Sequence, residues 1–240
     1  MSSTGSDEDL TPPTPIQVAQ RSLILSALVC RGHIELDAGN PEAQSLAKRI
    51  VDWLEPLDLN SVMEPNEAAV INSPLGQVPK QIAINATWQT EGLAIIAWAL
   101  GRGAFPLHDE QVDQYTVTDS LEFLIEDAAE FIRMPELRTA KELHACRELE
   151  YAIHCRLRNY IREKNQKDFT RWIEMEWLEI LKIDANHLIA GNDLAISGRP
   201  IFEVDEQNVQ TCEQITWERH RAAIWLFGEY PIYSELPVDT

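Results

Sequence analysis

The chain has 240 residues, 45% apolar and 25% charged, an ordinary globular balance and long enough to bury a core without disulfide or metal staples. Its seven tryptophans need a packed interior or a binding surface, which excludes a wholly disordered chain. A formal net charge of −19 repels phosphate backbones and anionic bilayers, so general nucleic-acid and membrane-surface binding are excluded and a basic protein partner is favoured.

The charge is uneven. Residues 133–171 carry ten of the twenty Lys and Arg against six Asp and Glu. Such a stretch either balances the acidic remainder or marks an acidic partner. The cysteines, Cys30, Cys146, Cys155 and Cys212, form no C-x-x-C pair. Met1 opens no secretory pattern, and the longest apolar run, at residues 92–100, is far short of the roughly 20 residues that span a bilayer. A reducing, cytoplasmic setting with free thiols is expected.

In chain order, residues 1–14 are rich in Ser, Thr, Pro and Asp and read as a disordered tail. Thr14-Pro15-Ile16-Gln17 is a capping box with Pro at the first helical position, and the helix it opens is expected to reach Cys30 and stop at Gly32. Asn40-Pro41 opens a second helix ending near Leu54, and residues 64–71 a short third. Residues 73–80 form a loop. Residues 87–100 read as one helix, apolar on nearly every face and therefore central, with Glu91 inside it. Asp119-Ser120-Leu121-Glu122 opens a helix to Arg133, and Thr139-Ala140-Lys141-Glu142 a long one to Lys164. Asp168 caps a helix through Leu181. Residues 194–202 form a small β-hairpin turning at Ser197-Gly198, with Pro200 restricting it to an edge. The last helix covers residues 209–227 and stops at Gly228, and residues 229–240 fold back on the body. The expected fold is all-α: a single domain over residues 15–240, a multi-helix bundle around the central apolar helix with one minor hairpin.

Three sets of residues suggest chemistry. An ionised Glu91 in an apolar helix is costly unless paired, so it requires a cation, with Arg138 or Arg219 the expected donors. It is either a structural ion pair or a general acid/base whose pKa is moved by burial. On the long helix, His144, Glu148, Tyr151, His154 or Cys155, and Arg158 recur at three- or four-residue steps. Imidazole beside carboxylate suits proton transfer or metal binding, with Glu150 as a further neighbour. The same stripe also fits a solvated face or a buried polar network. Trp217-Glu218-Arg219-His220-Arg221 is a dense polar cluster that fits either helix-to-helix salt bridges or, with Arg138, an anion pocket. No H-E-x-x-H, G-x-S-x-G, P-loop or dinucleotide fingerprint is present, and no metal or cofactor is expected.

Three segments resemble a known family of bacterial proteins, domain of unknown function 4272. They are Thr87-Trp88-Gln89-Thr90-Glu91-Gly92-Leu93-Ala94 through Trp98-Ala99-Leu100-Gly101; Glu136-Leu137-Arg138 with Glu142, Tyr151 and His154; and Glu218-Arg219-His220 through Trp225-Leu226, with Asp239-Thr240. The resemblance implies an intracellular helical protein without an assigned activity. It marks Glu91, Arg138, His154 and Arg219 as recurring polar positions of the family. Gln89 stands where the family usually has Arg, and Ala152 and Cys155 where Arg and Trp usually flank the His, which weakens any site those Arg would build. The leading expectation is a non-enzymatic interaction or accessory factor for a basic partner. The alternative is a small-ligand binder or hydrolase-like enzyme using Glu91 and His154 as catalytic groups and Arg138, Arg219, His220 and Tyr151 as ligand contacts.

Overall fold

The computed structural model describes residues 11–235. They form two compact units, one covering Pro15–Leu137 and the other built from residues 138–235 together with 11–14. As the sequence predicts, the chain is predominantly helical with a small antiparallel sheet. Residues 1–10 of the expected tail, and 236–240, lie outside the described residues.

In the first unit, α1 (Pro15–Leu36) is the hub, touching α2 (Ala43–Leu54), α3 (Pro65–Ile71), α4 (Lys80–Trp88), α5 (Thr90–Ala99) and α7 (Ala128–Arg133). Pro15 starts it as expected, but Gly32 does not stop it. Gly32 sits inside the helix because α4 crosses there: a Cβ would lie 2.8 Å from the Ala83 carbonyl oxygen and 2.9 Å from Ala86 Cβ. The glycine is selected by close approach rather than by termination.

The helix expected over residues 87–100 is two, broken at Gln89. The Thr87 and Thr90 hydroxyls bond back to the carbonyls of Ile84 and Thr87, competing with the helical ladder where the chain turns. α5 is buried at all ten positions, the central apolar character its composition demands.

The helix expected from Asp119 to Arg133 is also divided. Asp113 caps an earlier helix, α6 (Gln114–Ser120), by accepting from the Thr116 N–H. Glu122 and Leu124 then take left-handed φ values of 59° and 63°, which no helix can carry through. Tertiary bonds hold that turn. The carbonyls of Leu124 and Ile125 accept from Arg49 and the Trp53 indole, and Phe123 meets Trp53 edge-on at 5.1 Å. Arg21 pairs with Glu64 and Glu67 in the interior, joining α1 to the start of α3.

In the second unit, α8 (Ala140–Glu163) opens on the predicted Thr139–Glu142 capping box and ends at Lys164 in the left-handed region. It packs along α11 (Glu206–Phe227), which Asp205 caps and Gly228 terminates at φ 85°. Residues 11–14 run against that terminus: Thr11 donates to the Gly228 carbonyl at 3.3 Å, and any Cβ at Gly228 would collide with Pro12. The helix expected from Asp168 is a 3-10 turn, Phe169–Arg171, followed by α9 (Met175–Leu181). After α10 (Ala185–Leu188), β1 (Ile189–Ala190), β2 (Asp193–Ile196) and β3 (Arg199–Pro200) form a sheet in that order. The predicted hairpin is β2–β3, with one more strand on its other side. Tyr233 of the expected returning segment is buried, its ring 5.8 Å from that of Trp225.

Arg156 of α8 fastens this sheet. Its guanidinium grips Asp193 twice, at 2.7 Å each, and donates to the Asn165 carbonyl at 2.9 Å. Asp193 also accepts from the Lys167 and Leu194 N–H groups. Burial alone would raise the Asp193 pKa, but these bonds overcome it and hold the carboxyl low.

Two substitutions test these contacts. Gly32→Ala gains about 1 kcal/mol of helix propensity but drives a methyl into the backbone of α4, which costs about 1–3 kcal/mol or more. The expected result is a lower urea midpoint, and a midpoint at or above wild type would mean that α1 and α4 part freely. Arg156→Met leaves Asp193 charged in the interior, with an expected loss of about 3–5 kcal/mol in the same measurement.

Candidate functional site

Among the described residues, two places in particular bring candidate site residues together, one in each unit. In the first, the end of α4, the start of α5 and the segment leading into α6 enclose a cleft of about 430 Å³. Trp88 and Tyr115 form walls, His33 of α1 borders it, and Glu91 lines its inner side. Glu91 is 2% exposed, and its Oε1 accepts the Val112 N–H at 3.1 Å, which ties the 111–115 segment to α5. Asp113, at the rim, spends one oxygen on both the N–H and hydroxyl of Thr116, at 2.8 Å each. These bonds hold its carboxyl below the usual range and so keep it ionised. A second hollow of about 230 Å³ shares His33, Gln114 and Tyr115 with the first and continues between α1 and α2.

In the second unit, α8 and α11 bring His154 and His220 together. Their Nδ1 atoms are 3.0 Å apart, with exposures of 0% and 3%. At that distance one nitrogen donates and the other accepts, so a single proton lies between the rings. The Tyr151 ring covers His220 at 5.5 Å from the solvent side, where Tyr151 is half exposed. Glu213 approaches His154 Nε2 at 3.8 Å, and that approach keeps the glutamate's pKa low despite partial burial. Burial, then the charges of His154 and Arg147, push His220 down to about 3. The Cys155 thiol, beside Tyr151, is raised by burial and is no ready nucleophile.

The sequence-marked residues therefore divide. Tyr151, His154 and His220 meet as one cluster. Glu91 belongs to the other unit and lines the cleft there. Arg138 is part-exposed at the head of α8 and donates to Glu142 at 2.8 Å. Arg219 is fully buried, close enough to Cys146 for its charge, with that of Glu150, to bear on the thiol. His144, from the same stripe, is exposed and lies against Phe227. Among the described residues no group of three His, Cys, Asp or Glu is placed to hold a metal ion, which leaves His144, His154 and Glu150 without a shared centre. All four cysteines are unbridged, and among the described residues no helix is long and apolar enough to cross a membrane.

Sequence reasoning marked Glu91 but missed the rest of the cleft. Its walls come from α1, the α4–α5 break and the first turn of α6 with the segment before it, and no spacing links them. Besides Glu91, a further signal was Tyr115, a large aromatic among polar residues, which is 71% exposed.

The fold and these sites define a predominantly helical protein of two compact units. The chain belongs to the family described as a domain of unknown function (DUF4272), which it matches over residues 3–177. That match contains the Glu91 and His154 segments and ends before Arg219 and His220. No curated protein and no solved structure matches the chain.

The histidine pair makes stability depend on pH. His220 has an ordinary value of 6.5 and a folded value of about 3, so between these the unfolded chain binds the extra proton. Stability contributed by neutral His220 is fully present above 6.5 and falls as pH drops below it. At about 1.4 kcal/mol per pH unit, roughly 2 kcal/mol is lost between pH 7 and pH 5. Urea titrations at both pH values should show this loss in wild type and a smaller one in His220→Gln. Equal losses would mean that the pair is not the group responsible.

Proposed function

We propose that this protein is a non-enzymatic interaction module that receives a basic protein partner on the acidic surface of its Pro15–Leu137 unit. One observation carries the reading. From residue 103 to 132 there are eight Asp and Glu and no Lys or Arg. Six of the eight, Glu110, Asp113, Asp119, Glu126, Asp127 and Glu130, are exposed. A charged surface of one sign raises the encounter rate with an oppositely charged protein and rejects partners of its own sign.

The enzyme reading finds less support. Of its catalytic candidates, Glu91 and His154, the histidine turns its Nδ1 on that of His220, and both rings are sealed from solvent. A general base has to reach a substrate's proton, and neither ring does.

The test uses fluorescein-labelled nona-arginine and two doubly neutralised variants of identical net charge. Glu126→Gln/Glu130→Gln removes charge from the proposed surface. Glu174→Gln/Glu179→Gln removes it from exposed positions in the other unit. The first should weaken binding roughly fivefold at low salt, and the second much less. Equal weakening by the two pairs would reduce the effect to total charge and overturn the reading.

A further inference from the structure

The cleft beside Glu91 and the hollow between α1 and α2 are one trough, joined at His33, Gln114 and Tyr115. Its lining contains no Lys or Arg, while Asp37, Glu42 and Asp113 stand exposed along it. Where the chambers meet, Tyr115 leaves 71% of its surface in water. A tyrosine so placed forgoes burial that folding would reward. Large, stiff aromatics at the centre of a depression are the usual anchors of protein interfaces. Trp88 offers a second ring in the larger chamber.

The combination selects an occupant. Aromatic faces beside carboxylates suit a guanidinium, which stacks on a ring and binds a carboxylate with two donors; an ammonium is a point charge and does neither as well. Two chambers in series suit a chain running through them better than one compact molecule. A second copy of this protein, itself at −19, would be repelled from such a lining. We infer that the trough seats an extended, arginine-bearing segment of the basic partner, with Tyr115 stacked on the guanidinium. This rests on the interaction-module reading above and adds the location and the side chain.

The wall is prepared for this. The bond from the Val112 N–H to Glu91 fixes the segment carrying Tyr115 against α5. The Asp113 cap fixes the start of α6. A preformed wall spares the partner the cost of ordering it.

The experiment is calorimetric titration of the whole protein with the peptide acetyl-Gly-Gly-Arg-Gly-Arg-Gly-Gly-amide. Matched peptides carry lysine or the neutral arginine isostere citrulline. Tyr115→Ala removes the exposed ring with little effect on folding, which circular dichroism verifies. It should weaken the arginine peptide on the order of tenfold and the lysine peptide less, with the citrulline peptide unbound. Arginine peptide bound equally by wild type and Tyr115→Ala, yet weakened by Glu126→Gln/Glu130→Gln, would overturn the trough as the seat and leave the acidic-surface reading standing. No binding to wild type at low salt would remove both. Free arginine bound as tightly as the peptide would make the trough a small-cation site instead. A dimer in sedimentation that Tyr115→Ala dissociates would assign it to self-association.

Discussion

Arg31 and Arg156, 1% and 0% exposed, show the constraint on which both units depend. A guanidinium taken out of water has to have its donors met, or the fold loses several kcal/mol. Each arginine meets most of that demand in the same way, with only Arg31 Nε and one terminal nitrogen of Arg156 left over. Arg31 of α1 pairs with Glu35 and donates to the Ser73 carbonyl, while Glu35 accepts the Val78 N–H. Arg156 of α8 pairs with Asp193 and takes the Asn165 carbonyl, while Asp193 accepts two further N–H groups. In both cases a long helix gathers an irregular segment by satisfying backbone groups that have no ladder. Irregular chain is thereby held with the definition of a regular element, and in the first unit the loop so fixed leads straight into α4, which carries Trp88.

The parts of this fold that were legible were those decided locally. Thr14-Pro15, the Thr139–Glu142 box and Gly228 each act within one turn, and each marks the helix end it predicts. What failed was decided by neighbours distant in sequence. Gly32 looks like a stop until α4 is laid across it. Asp119 looks like a cap until Trp53 and Arg49 claim the carbonyls that follow. The α8 stripe correctly placed Tyr151 and His154 on one side. The partner it needed, His220, depends on the register of α8 against α11, which no single-helix pattern contains. The cleft, assembled from several elements, left only Glu91 and its exposed tyrosine to be noticed.

The charge asymmetry seen in the sequence has a structural location. Residues 15–137 carry seven Lys and Arg against eighteen Asp and Glu, whereas nearly all of the basic 133–171 stretch falls in the other unit. Within the first unit some of the cations are also consumed. Arg21 and Arg31 are buried in ion pairs, and Arg102 is paired with Glu122 over the Phe131 ring. The carboxylates of the 103–132 stretch therefore project a field that few local cations offset.

The contact of residues 11–14 with Gly228 makes the second unit discontinuous in the chain, with the whole of the first unit threaded between its pieces. On the ribosome this imposes an order. Residues 15–137 form a compact unit whose own segments have all been made before α8. Residues 11–14 wait for a helix end made more than two hundred residues later, on the order of 10–40 s at ordinary elongation rates. The segment that precedes the first unit is thus made before it and docks only after it, and the inserted unit matures while its host is still incomplete.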